Sequence, residues 1–226
     1  MVFNPDQYVN FLISNHCVEF YKTPIQLKCG RLSWWDANLQ KLYTNILLKR
    51  QLATYVYQFT QNHQLQPDLF LGVPMSAIPL GECVNELIDY KDKSQIPATI
   101  LRSEYKINGN PQHKYAVGPL NAADRVVLVD DTVVTGSSFM RHIPRLQEMG
   151  VIVEGVIVCV YRFEKRDNGR TIERLLKDAY NVDYYFLTDA RELLTRACKL
   201  LQPEPSIIDS IEKYYLQYGV QPILIH

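Results

Sequence analysis

Apolar and polar positions along the chain change period several times, and each change marks an element. Tyr8, Phe11 and Leu12 recur at helical spacing after Pro5 and Asp6, which predicts a helix over 5–16. The stretch 18–36 mixes β-branched and aromatic residues with Pro24 and Gly30 and reads as short strands and turns. Leu42, Ile46, Leu47, Ala53, Val56 and Phe59 then predict one helix over 39–63. From there strands and helices alternate. Strands are expected at 68–71, ending at Gly72, then at 98–102, 125–129, 151–160 and 182–187. Helices are expected at 78–88, 137–149 with a kink at Pro144, 171–180, 190–201 and 207–218.

This alternation predicts an open, mainly parallel, twisted α/β sheet flanked by helices, with a small N-terminal hood of helix and short strands. One domain is expected over 1–226: a hood segment within 1–38, an α/β core over 39–188 and C-terminal helices over 189–226. The run Val126-Val127-Leu128-Val129 is apolar throughout, as in a strand covered on both faces. In open parallel sheets ligands bind beyond the carboxyl ends of the strands. The loops after Leu71, Arg102, Val129 and Val160 therefore matter most.

Composition narrows the function classes. The 226 residues carry 24 basic and 24 acidic side chains, so the formal charge is zero. That balance speaks against a nucleic-acid partner, which needs a basic surface to displace counterions. The longest apolar stretch, 151–161, is interrupted by Glu154 and Gly155 and is too short to span a bilayer, so no membrane partner is expected. The chain opens without a basic, apolar leader, and its five cysteines are widely spaced with no CxxC pair. Reduced thiols in a soluble cytoplasmic protein are the expectation.

The chemistry concentrates in one segment. The strand ending at Val129 delivers Asp130 and Asp131, followed by Thr132, Val133, Val134, Thr135, Gly136, Ser137 and Ser138, where the next helix begins. Free N–H groups at a helix start and a close-approaching glycine favour an anion such as phosphate. Adjacent carboxylates would suit ribose hydroxyls or a hydrated magnesium, so the segment describes a site for a ribose 5-phosphate. The plain structural alternative is a strand end whose acids cap the helix, with Ser137 as N-cap. Neither a GxxxxGK[ST] loop nor a GxGxxG after a strand is present.

Apolar strand, two acids, short loop and Thr-Gly-Ser together resemble the phosphoribosyl pyrophosphate (PRPP) signature of type I phosphoribosyltransferases. Other segments are most similar to the orotate branch of that family. Gln26-Leu27-Lys28-Cys29-Gly30-Arg31-Leu32-Ser33-Trp34-Trp35 resembles its Leu-Lys-Ser-Gly-Arg-x-Ser followed by aromatics. Residues 72–80, ending Ile78-Pro79-Leu80, resemble its pyrophosphate loop, and Leu101 to Gly109 the start of its mobile catalytic loop. Arg162 matches the arginine that binds the orotate carboxylate.

The resemblance implies transfer of a phosphoribosyl group from PRPP to orotate, giving orotidine 5′-monophosphate and pyrophosphate. The cofactor would be Mg²⁺ carried by PRPP, near Asp130 and Asp131 but with no direct protein ligand assigned, and the assembly a homodimer. Asp130 and Asp131 would hold the ribose, the backbone of Thr132 to Ser137 the 5-phosphate, and Met75 and Ser76 the pyrophosphate side. Arg102 and Lys106 would neutralise the pyrophosphate, so the catalytic set is Asp130, Asp131, Arg102 and Lys106. Lys28, Trp34, Trp35 and Arg162 would meet orotate. Adjacent strand residues face opposite ways, so one of the two tryptophans is expected in the core.

Departures fall at cationic positions: Ser76 replaces a lysine, Ser103 a lysine, and Asn108 a histidine, with His113 and Lys114 as substitutes later in the loop. Two other readings therefore stay open. One is a PRPP- or nucleotide-binding regulatory protein with weak or no transfer, and the other a phosphoribosyltransferase for another base.

Overall fold

A computed structural model describes residues 2–92, 95–106, 108 and 114–225. Asn4 accepts a hydrogen bond from the Gln7 N–H and Pro5 follows, which starts α1 (Pro5–Ser14). β1 (Val18–Gln26) and β2 (Leu32–Ala37) form an antiparallel hairpin running from the Val18–Ala37 pair to the Gln26–Leu32 pair. This hairpin and α1 are the predicted hood.

The helix predicted over 39–63 is two helices, α2 (Gln40–Tyr43) and α3 (Ile46–Asn62). Asn45 between them is extended, and its side chain accepts from the N–H groups of Leu47 and Leu48. A short polar side chain that binds nearby backbone interrupts a helix even where the apolar spacing continues.

β3 (Leu69–Gly72), β6 (Arg125–Val133), β7 (Ile152–Tyr161) and β8 (Asp183–Asp189) make a parallel sheet in the order β3-β6-β7-β8. α4 (Ile78–Asp92), α5 (Ser137–Glu148) and α6 (Ile172–Tyr180) connect it, and α7 (Ala190–Leu201) and α8 (Pro205–Tyr218) follow. The expected mainly parallel α/β sheet is thus present. Val126, Val127, Leu128 and Val129 are fully buried between layers, each burial stabilising by roughly 1.5–3 kcal/mol. Pro144 lies inside α5 without ending it.

The strand predicted at 98–102 does not join this sheet. Only β4 (Ile100–Leu101) is extended, and it pairs antiparallel with β5 (Ala116–Val117). The free edge of β3 is already satisfied: Asn85 of α4 accepts from the Phe70 N–H at 2.7 Å and donates to the Phe70 carbonyl at 2.8 Å. A side chain that takes both polar groups of an edge residue leaves no ladder for another strand. Among the described residues no helix is long and apolar enough to cross a membrane.

Candidate active site

β6 is longer than its apolar run. The ladder to β7 continues through the pairs Asp130–Val158, Thr132–Val160 and Val133–Tyr161, so both aspartates belong to the strand itself. Their backbone is therefore fixed by sheet register. The Asp131 N–H donates to Asp130 Oδ1 at 2.9 Å, and the Thr132 N–H to Asp131 Oδ1 at 2.8 Å. Ser76 Oγ donates to Asp131 Oδ1 at 3.3 Å, and Thr132 Oγ1 to the Ala37 carbonyl at 3.0 Å, which ties the hood to the strand.

Burial raises the pKa of Asp130 well above the carboxylate range, Asp131 beside it adds to the rise, and Lys28 opposes it. A buried carboxylate such as Asp130 resists carrying a full charge until a ligand supplies donors. Vicinal sugar hydroxyls are such donors.

Past Val133 the chain turns at Gly136, whose φ of +68° needs no Cβ. A Cβ there would stand 2.2 Å from Ile172 Cδ1. Gly136, not Ser137, is the N-cap of α5 and makes no side-chain capping bond. The alternative in which Ser137 caps the helix is thereby overturned, and the first N–H groups of α5 stay open to an anion. Arg166 donates to the Thr135 carbonyl and braces this turn from behind.

A cavity of about 130 Å³ collects these parts: Asp130, Asp131 and the residues from Thr132 through Ser138, with Lys28, Cys29, Pro74 and Ser76 on the opposite wall. Lys28 lies in the β1–β2 turn and is exposed. A second cavity of about 280 Å³ adjoins, lined by Asp36, Asn38 and Arg162 among others and sharing Lys28, Ser76, Asp131, Thr132 and Val134 with the first.

Arg162 reaches that second cavity, but its donors are engaged within the protein. Its side chain is 0% exposed, with Nε on Glu164 Oε1 at 2.8 Å, Nη2 on Ser33 Oγ at 2.9 Å and Nη1 on the Trp35 carbonyl at 3.3 Å. Asp36 Oδ1 is 3.7 Å from Nη1 and is itself 31% exposed. Burial raises the Asp36 pKa, and Arg162 opposes that rise.

The tryptophan pair lines neither cavity. Trp35 is fully buried with the Arg162 guanidinium 4.2 Å from its ring, and Trp34 packs half-buried against the core. Trp35 is thus the tryptophan of the pair expected in the core, and Trp34 is not among the residues lining either cavity. Met75 is 75% exposed and lines neither cavity, nor do Arg102 and Lys106. Arg102 and Lys106 belong to the β4–β5 flap, whose arms are joined by Arg102 N–H to Tyr115 and Lys106 N–H to Lys114 backbone bonds. Gly109 and His113 of this loop lie outside the described residues.

Two participants escape a linear reading. Glu164 is 0% exposed and accepts from Arg162, from Arg31 Nη1 at 3.0 Å and from the Tyr214 hydroxyl at 2.7 Å, joining hood, sheet and α8. The Arg-Phe-Glu spacing at the end of β7 is the one signal that hints at it. Tyr43, on a helix too short to show a period, holds a buried hydroxyl with no hydrogen-bond partner among the described residues, and burial, then Asp131, raises its pKa.

No protein-family model matches the chain. Orotate phosphoribosyltransferase of Pyrococcus horikoshii is 27% identical over 159 residues, 70% of this chain and 80% of the relative. The enzyme of that name from Lachnoclostridium phytofermentans is 22% identical over 221 residues, 95% of this chain and 97% of the relative. Among solved structures, orotate phosphoribosyltransferase of Francisella tularensis superposes with a TM-score of 0.72 at 21% identity, covering 94% of this chain and 99% of that one. This chain is an orotate phosphoribosyltransferase-like protein. Adenine phosphoribosyltransferase of Leishmania tarentolae, with a TM-score of 0.55 at 15% identity over 87% of this chain and 93% of that one, shares the type I phosphoribosyltransferase fold. In the orotate phosphoribosyltransferase-like chain the first cavity lies between the β6 end and α5 start on one side and the β1–β2 turn on the other.

Proposed function

We propose that the chain transfers the 5-phosphoribosyl group of PRPP to orotate, giving orotidine 5′-monophosphate and pyrophosphate, as a cytoplasmic homodimer folded as one domain. The observation that carries this reading is the single cavity in which two strand-borne carboxylates face an uncapped helix start. Orotate phosphoribosyltransferase relatives spanning nearly the whole chain support the choice of acceptor.

In this reading Asp130 and Asp131 take the ribose hydroxyls, and the Thr135–Ser138 turn takes the 5-phosphate. The reaction passes through a ribose carbon with cationic character, so the work of the protein is to position two anions and favour the departing one. Lys28 on the roof sits between the two cavities, where it meets both substrates. Arg102 and Lys106 act when the flap approaches, neutralising pyrophosphate. Among the described residues no group of three metal-binding side chains exists. Magnesium would therefore be held mainly by the diphosphate oxygens of PRPP, close to Asp130 and Asp131, where it neutralises charge. Ile46, Leu47 and Tyr90, exposed on α3 and α4, support a self-associating face, and light scattering giving a monomer mass would remove the dimer.

The test is incubation with magnesium, PRPP and orotate while following orotate absorbance. Turnover is expected, with a loss of about 10²-fold or more in Asp131→Asn. A second reading, a PRPP-binding protein with little transfer, is favoured by Ser76 at the pyrophosphate wall and by a flap whose cations line neither cavity. PRPP binding with no turnover of any base would establish it.

A further inference from the structure

The second cavity is charged in an unusual way for a site that receives an anionic base. Arg162 on its lining is set against Glu164 and Asp36, and Arg31, which does not line the cavity, shares Glu164 and pairs with Asp167. Glu164 takes the Nε side of Arg162 at 2.8 Å with both groups fully buried, so that charge is already compensated before any ligand arrives. Arg162 Nη1, which already donates to the Trp35 carbonyl at 3.3 Å, has Asp36 Oδ1 at 3.7 Å, on the cavity side. Of these three acids, only Asp36 lines the cavity. Asp131, shared with the neighbouring cavity, is a further acid on the wall, and exposed Lys28 is the cation on the roof.

We propose that Asp36 is a specificity-determining residue of the base pocket: its carboxylate lines the cavity and repels the acceptor's carboxylate, so weakening selection of an acidic pyrimidine over a neutral one. The inference rests on the orotate-transfer reading. Its physical content is that a like charge a few ångströms from an incoming anion raises the energy of that complex while leaving an uncharged ring of the same shape untouched. The hairpin keeps Asp36 in place: it pairs with Glu19 across β1–β2, and the following residue, Ala37, is tied by its carbonyl to Thr132.

Steady-state kinetics of wild type, Asp36→Asn and Asp36→Glu, with PRPP and magnesium, test it using orotate and uracil, which lacks the carboxylate. Asp36→Asn is expected to lower the orotate KM and raise the orotate-over-uracil ratio of kcat/KM roughly five-fold. The uracil KM should move far less, and Asp36→Glu should stay near wild type. An unchanged or raised orotate KM in a normally folded Asp36→Asn, judged by thermal melting, overturns the inference while the transfer reading stands. Wild type that turns over no orotate overturns the transfer reading instead. In that case calorimetric titration of orotate into both proteins still decides: tighter binding to Asp36→Asn supports the role of Asp36, and equal or weaker binding ends it.

Discussion

Arg162 and Glu164 form an ion pair, Nε to Oε1 at 2.8 Å, in which neither side chain reaches solvent. The same carboxylate also takes Arg31 and the Tyr214 hydroxyl, so it balances the hood and the end of β7 at once. A buried pair adds little over an apolar replacement, but removing one member strands the other charge. Glu164→Gln is therefore expected to destabilise the fold by about 3–5 kcal/mol, read from urea unfolding. A loss below about 1 kcal/mol would mean that water reaches the arginines.

Gly136→Ala forces a left-handed residue to carry a Cβ against Ile172. The expected cost is roughly 1–2 kcal/mol in stability. The turn that presents the α5 N–H groups should also loosen, so PRPP affinity should fall more than orotate affinity. Calorimetry with each ligand checks this, and equal affinities for PRPP before and after substitution would remove the turn from phosphate binding.

Lys106 stands exposed on the flap, away from both cavities. If the flap brings it to the departing pyrophosphate, Lys106→Ala should lower kcat by about 10²-fold while orotate KM stays nearly level. Unchanged kinetics would take this lysine out of the mechanism.

His142, buried in α5, has its pKa pushed down to about 4, first by burial and then by Arg145 and Arg141. A depressed folded-state value means stability that is present above pH 6.5 and is lost as pH falls toward 4, because the unfolded chain takes up the proton first. Stability should drop by roughly 2–3 kcal/mol across that window, and His142→Gln should flatten the drop. Parallel unfolding curves for the two proteins would contradict it.

The alternation of strands and helices was legible because buried parallel strands and amphipathic helices impose different periods on the chain. Three departures have local causes. Asn45 broke a helix by binding backbone, and Asn85 closed the sheet edge that the 98–102 segment was expected to extend. Asp130 and Asp131 stayed in the strand because a ladder depends on backbone pairing, which charge does not reveal. At the site, the contiguous Asp130–Ser137 wall of the first cavity was readable since its parts are neighbours in sequence. The destination of Trp35 and the debt of Arg162 to Glu164 were not, because both depend on contacts between the hairpin and the C-terminal half.

Because the two acids are held as part of a hydrogen-bonded ladder, a sugar bound as proposed would meet a rigid rim that asks for no ordering on arrival. The hairpin overhead, which carries Lys28 and Asp36, is a separate part of the sequence. Under the proposed assignment such a division would let acceptor preference drift through changes in the roof alone, with the grip on the donor preserved, so a change of nucleobase need not begin by rebuilding the strand.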